Sequence, residues 1–221
     1  MFSYVFMKIL EMRPRSYDQQ MDKISRGRVR AAKEAVAGKV PEGSRVLEIG
    51  CGTGELASLL IQRGAFVEGF DLNPSMIRTA KERIETENLA EKFSVSQMGV
   101  DAMDRFREEQ FDAIVSTLVF SELSDDERRF ALKQAKRILK PGGMIIIADE
   151  VVPKTLFRKL LHTVTRLPML ALTYLVSSSS TRPILDLSGE LAGADFSIQK
   201  EIRSHGDSFA MTVGIKEKGE K

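Results

Sequence analysis

The sequence predicts a doubly wound α/β fold, a mostly parallel sheet of seven strands wrapped by helices on both faces. Three observations carry that reading. Short apolar runs alternate with amphipathic stretches of helical period along most of the chain. The first run, Arg45-Val-Leu-Glu-Ile49, stops at a cluster of glycines, as a buried parallel strand does before turning into a helix. The tail then adds two strand-like segments after the last alternation.

In order, residues 17–38 have Met21, Ile24, Val29, Ala32 and Val36 along one side and are expected to form one helix, with Gly38 near its end. Strand one is 45–49. Glu55 to Arg63 follows as a helix with Leu56, Leu59 and Leu60 on one face and Gly64 after it. Phe66 to Asp71 is strand two. Asn73-Pro74 is a cap followed by a proline at the first helical position, and it opens a helix to about Asn88.

Phe93 to Met98 and Phe111 to Ser116 are strands three and four. Ser124-Asp-Asp-Glu127 is a capping box that starts a helix through Leu139. Pro141-Gly142-Gly143 breaks it and feeds Met144 to Ala148, the fifth strand. Phe196 to Ile202 and Ser208 to Ile215 complete the set. Parallel crossovers are expected to be right-handed. With 221 residues, one domain over 1–221 is expected, with an N-terminal helical extension over 1–40 and a helical insertion over 150–187.

Composition narrows the function. The 33 basic and 31 acidic residues leave a net charge of +2, without the basic excess of a dedicated nucleic-acid binder. The single cysteine, Cys51, allows no internal disulfide and no thiolate metal cage, so no metal site is expected and a reducing, cytoplasmic setting is. The apolar start is interrupted by Lys8 and Glu11, unlike a secretory leader. Within the insertion, Leu156 to Val176 mixes leucines with Arg158, Lys159, His162 and Arg166 around Pro168. That pattern is a poor membrane span and reads as amphipathic helices. A lid, a peripheral membrane contact or a protein contact through 155–180 are all open, as are monomer and homodimer.

The chemistry concentrates at the first glycine turn, Glu48-Ile-Gly50-Cys51-Gly52-Thr53-Gly54. Open α/β sheets bind ligands beyond the carboxyl ends of their strands. A dinucleotide fingerprint needs its third glycine where this chain has Glu55, an acid that would also meet a pyrophosphate. A cofactor with an amino-acid tail and a cationic sulfonium meets no such objection. Glu48 is placed to hold the turn and to engage an ammonium. Asp71, ending strand two, can accept from both ribose hydroxyls. Asp101 can accept from an adenine amine, with Ala102 and Met103 packing beside it.

This ordered set resembles the motifs of class I S-adenosylmethionine-dependent methyltransferases, especially the ubiquinone- and menaquinone-biosynthesis subgroup, from about Tyr17 to Ile215. The resemblance implies S-adenosylmethionine as cofactor, S-adenosylhomocysteine as product, and a seventh strand running antiparallel beside the fifth. It implies that Gly50, Cys51, Gly52, Thr53 and Gly54 cradle the methionine part and that Leu72 and Met76 sandwich the adenine. Tyr17 resembles an N-terminal tyrosine that closes over the cofactor. Ser116 to Glu122 is expected to line the methyl-donating pocket. Many relatives have a histidine near Ser121 or Glu122 and this chain has none, so the resemblance assigns no base here; Glu122 is the candidate to orient or deprotonate an acceptor. A second resemblance, through Ser3 to Lys8 and Thr181-Arg-Pro183, is to small methyltransferases associated with corrinoid proteins. The expected reaction is methyl transfer to a small, partly apolar acceptor. The alternatives are methylation of a protein or corrinoid carrier and a cofactor-binding accessory protein without turnover.

Overall fold

The structure, a computed structural model, describes residues 10–154, 183–204 and 207–218. Two helices, α1 (Pro14–Ser25) and α2 (Arg28–Ala37), precede β1 (Arg45–Ile49). The chain then alternates α3 (Glu55–Gln62), β2 (Phe66–Asp71), α4 (Pro74–Thr86), β3 (Phe93–Gln97) and β4 (Phe111–Thr117). It ends with α5 (Asp125–Ile138), β5 (Leu139–Glu150), α6 (Leu187–Gly193), β6 (Ser197–Ser204) and β7 (Phe209–Ile215).

The seven strands form one sheet in the order β3-β2-β1-β4-β5-β7-β6. Strands β1 to β5 run parallel to one another, and β7 is slotted antiparallel between β5 and β6. This is the expected doubly wound sheet with its antiparallel seventh strand. Strand order reverses at β1 and β4, which opens a crevice at their carboxyl ends.

Both faces of the central strands are buried, which explains their unbroken apolar runs. Leu47, Ile49, Ile114, Ile145 and Ile147 pack on one side with Leu132 and Ile138 of α5. Val46, Ala113, Val115 and Ile146 pack on the other with Leu56 and Leu60 of α3. Period-two alternation therefore sends neighbouring residues of each strand into different halves of the core.

Two local expectations are corrected. The single helix over 17–38 is two helices, because Arg26 (φ 55°) and Gly27 (φ 78°) take left-handed backbone between them. The Gly27 N–H donates to the Asp22 carbonyl at 2.8 Å and closes the first helix there. The Pro141-Gly142-Gly143 segment lies within β5 as an irregularity of the ladder and not ahead of it. Phe111 pairs with Leu139 and Ala113 already with Met144, while Gly142 and Gly143 bond to Lys216. A further helix, α6, occupies 187–193 at the end of the expected insertion. The amphipathic helices and contact surface expected over 155–180 lie outside the described residues, as do Ser3 to Lys8 and Thr181-Arg182. No helix among the described residues is long and apolar enough to cross a membrane.

The capping box forms as expected: Glu127 N–H donates to Ser124 Oγ, and Ser124 N–H donates to Glu127 Oε2 at 2.7 Å. One turn further along, Arg128 is buried and ties three elements together. Its guanidinium donates to Asp125 (2.6 Å), to Glu190 of α6 (2.9 Å) and to the Leu123 carbonyl (2.9 Å). Arg128→Ala strands those acceptors and is expected to cost about 2 kcal/mol in urea unfolding. A loss below about 0.5 kcal/mol, the range of an ordinary surface substitution, would contradict this clamp.

Candidate functional site

A cavity of about 320 Å³ lies in the crevice at the reversal of strand order. Its walls come from the segments that follow β1 through β4 and from α1 and α2. At its floor the backbone after β1 turns through left-handed conformations at Gly50 (φ 69°) and Gly52 (φ 51°), which side-chain-bearing residues adopt only at a cost. A Cβ on Gly50 would also run into Val119, so the loop after β4 can close down on bare backbone only because this position is glycine.

Asp71 holds the turn in place. Its Oδ2 accepts from Gly52 N–H at 2.9 Å and its Oδ1 from Asn73 N–H at 2.8 Å. Each carboxylate oxygen has a second lone pair, so an anchored Asp71 can still accept from a ligand diol.

Glu48 is the least expected group energetically. It is 2% exposed, lines the cavity, and its Oε2 has no hydrogen-bond partner among the described residues. Burial pushes its carboxyl up to about 8, Lys33 opposes that rise, and the nearby Asp71 and Glu55 reinforce it. Lys33 is engaged elsewhere, with Nζ 2.7 Å from Glu55 and 3.9 Å from Asp18. A buried polar atom without a partner is costly, and it marks a place where a donor from a ligand is wanted.

The N-terminal helices are fastened to the glycine turn by an acid that the sequence did not single out. Asp18 accepts from Thr53 Oγ1 at 2.8 Å and pairs with Arg83 of α4, while Arg83 Nε donates to the Thr53 carbonyl at 3.0 Å. Tyr17, next to Asp18, is thereby brought into the cavity wall. Burial, followed by the charges of Glu11 and Glu122, raises its hydroxyl far above the usual phenol range, so it stays protonated. Glu122 also lines the cavity, in the short turn Phe120–Glu122. That turn is gripped by Asp149, fully buried at the end of β5, which accepts from Ser121 N–H at 3.1 Å. Burial raises the Asp149 carboxyl to about 6.

The structure brings together at one cavity Tyr17, Glu48, Gly50, Cys51, Gly52, Thr53, Asp71, Leu72, Met76, Asp101 and Glu122. Four expected residues do not line it. Gly54 caps α3 and faces α4, where a Cβ would lie 3.0 Å from that of Ala80. Ser116 is buried and spends its hydroxyl on the Ile49 carbonyl at 3.1 Å, pinning β4 to β1. Met103 points into the core with Phe106 and Phe111, and Ala102 turns its N–H back to the Gly99 carbonyl. Of the three residues expected to meet the adenine from the segment after strand three, Asp101 alone lines the cavity, joined by Met98, Gly99 and Val100. The Cys51 thiol is buried against Gly69, and burial raises it far above the ordinary thiol range, which makes it a poor nucleophile.

Comparison with known proteins agrees with this geometry. A family model described as "Methyltransferase domain" matches residues 46–143, the stretch from β1 to the Gly-Gly bulge of β5. The methyltransferase GfsG of Streptomyces halstedii is 33% identical over 119 residues, which is 53% of this chain and 41% of that protein. The chain thus spans less than half the length of this curated relative. An O-methyltransferase family protein from Burkholderia thailandensis superposes with a TM-score of 0.70 at 18% identity, over 94% of this chain and 60% of the other. The [4+2]-cyclase SpnF superposes with a TM-score of 0.68 at 18% identity, over 86% and 82%. Residues 46–143 therefore resemble a methyltransferase domain, and the chain has the fold of these solved structures. As the cyclase illustrates, that fold alone does not define a reaction.

The raised carboxyl of Glu48 carries a stability consequence. Its folded value near 8 exceeds its ordinary 4.5, so the folded protein holds the proton more tightly and loses stability as pH rises between those limits. Glu48→Gln has no such loss. The variant and the parent are expected to unfold alike near pH 5, with the variant more stable by a few kcal/mol near pH 8, since each pH unit between the two limits is worth roughly 1.4 kcal/mol. Parallel pH dependences in urea unfolding would show that Glu48 is not held neutral.

Proposed function

We propose that the chain is an S-adenosylmethionine-dependent methyltransferase acting on a small, partly apolar acceptor. The observation that carries this reading is Glu48 Oε2, without a partner among the described residues and buried beside bare glycine backbone with Asp71 at the neighbouring strand end. These residues fit the cofactor part by part. An ammonium suits Glu48, a ribose diol suits Asp71, and an exocyclic amine suits the exposed Asp101. Leu72 and Met76 offer apolar faces to a flat ring. A pyrophosphate suits the site badly, because the first residue of α3 is Glu55. Against the effect of partial burial, the Lys33 ammonium holds the Glu55 carboxyl below its usual range and therefore charged.

When bound, the sulfonium supplies a methyl group already activated for displacement. What remains for the protein is to hold, align and desolvate, effects worth up to about 7–11 kcal/mol in favourable cases. Leu118, Val119 and Leu123 form an apolar wall on the cavity side opened by β4, suited to an acceptor with an apolar body. Tyr17 covers the site from α1, where it helps to exclude water. Glu122, on the same wall, is the group placed to take a proton when the acceptor is a hydroxyl or amine.

Titration calorimetry tests the reading. S-adenosylmethionine and S-adenosylhomocysteine are expected to bind and NAD is not. Asp71→Ala is expected to weaken both by on the order of 100-fold through two lost charge-assisted bonds. NAD binding in place of the sulfonium cofactor, or an Asp71→Ala variant of undiminished affinity, would overturn it.

A further inference from the structure

We propose that cofactor capture at this site is proton-linked: seating the ligand ammonium against Glu48 expels one proton from the free pocket into solvent. The proposal rests on the cofactor reading above and concerns how the site takes up its charge.

Charged and polar groups face Glu48 from several elements. From α2 comes Lys33, the one cation at the cavity among the described residues, already paired with Glu55 at 2.7 Å and lying 3.9 Å from Asp18. From α3 come the Glu55 carboxylate and the Ala57 backbone amide, and from the end of β2 comes Asp71. The loop between contributes the Cys51 thiol, which burial keeps protonated. One committed cation and two carboxylates therefore surround a third carboxyl that is 2% exposed and has one oxygen without a partner among the described residues. Ionising Glu48 in that setting places a negative charge where the surroundings offer it no cation of its own and little solvation. The free site is thus most stable with Glu48 as the neutral acid, in keeping with a carboxyl raised to about 8 by burial.

A ligand ammonium changes the balance. It brings the missing cation and an N–H donor to the oxygen that lacks one. The carboxylic O–H bond breaks, its proton passes to buffer, and the carboxylate that remains accepts from the ammonium. Neutral acid plus ammonium becomes an ion pair plus one released proton, and the net charge is the same on both sides. Below the free-site value, affinity must then rise as pH rises, because deprotonation is part of binding. A carboxylate already ionised in the free pocket would give an affinity independent of pH over the same range.

Calorimetry with S-adenosylhomocysteine, run near neutral pH in phosphate and in Tris, counts the protons released because the two buffers differ in ionisation heat. The expected count is close to one, and affinity is expected to rise roughly tenfold between about pH 6 and about pH 7. Glu48→Gln is expected to bind more weakly, with no proton released. The proposal is overturned if the ligand binds the parent protein with equal heats in both buffers, or if proton release persists in Glu48→Gln. Should that variant not fold, the affinity slope of the parent protein decides alone. A ligand that fails to bind at any pH is a different result, one that removes the cofactor reading itself.

Discussion

Everything at the cavity depends on the backbone leaving β1 through left-handed turns. Gly50 and Gly52 bend it so that the Gly52 N–H points at Asp71 and the surface under Val119 is free of side chains. That turn sets the distance between the ends of β1 and β2 and the closeness of the loop after β4. It also presents Thr53 to Asp18, which docks α1 and carries Tyr17 into the wall. Remove the permissive backbone and each of these contacts loses its partner, although none of them is itself a glycine side-chain contact.

Set against that rigid floor is a carboxyl that the fold holds at a cost. A buried Glu48 with one oxygen unpartnered among the described residues weakens the free protein at neutral and higher pH, and the Lys33 charge and the Ala57 amide offset that only in part. Such a residue makes physical sense as part of a ligand's binding site, where the ligand supplies both charge and donor. Asp149 is a milder version of the same arrangement. It is buried and raised to about 6, but it accepts from the Ser121 and Glu150 amides and so serves to fix the turn that bears Glu122.

The sheet is legible in the sequence because its central strands are buried on both faces and punctuated by Gly, Pro and Asn-Pro, signals that depend only on neighbouring residues. The cavity-facing ends of β1 and β2 are legible for the same reason, since Glu48, the glycines and Asp71 occupy positions set by local strand geometry. What escapes is set by distant contacts. Asp18, Lys33 and Arg83 lie on three different helices and meet only after the sheet is assembled. Ser116 belongs in the pocket by its place at a strand end, yet strand phase turns its hydroxyl to the Ile49 carbonyl. Met103 belongs there by its place in a loop, but the turn over 100–105 rotates it into the core. The break at Arg26-Gly27 is masked by apolar residues that keep a helical period on either side of it.

The central claim is that this cavity holds the amino-acid end of a sulfonium cofactor at Glu48 and its ribose at Asp71. A crystal structure of the protein with S-adenosylhomocysteine is the most direct measurement. The ligand ammonium is expected within hydrogen-bonding distance of Glu48 Oε2 and the ribose hydroxyls on Asp71, with both backbone bonds to Asp71 kept. A ligand seated in the reverse sense, or outside this crevice altogether, would contradict it.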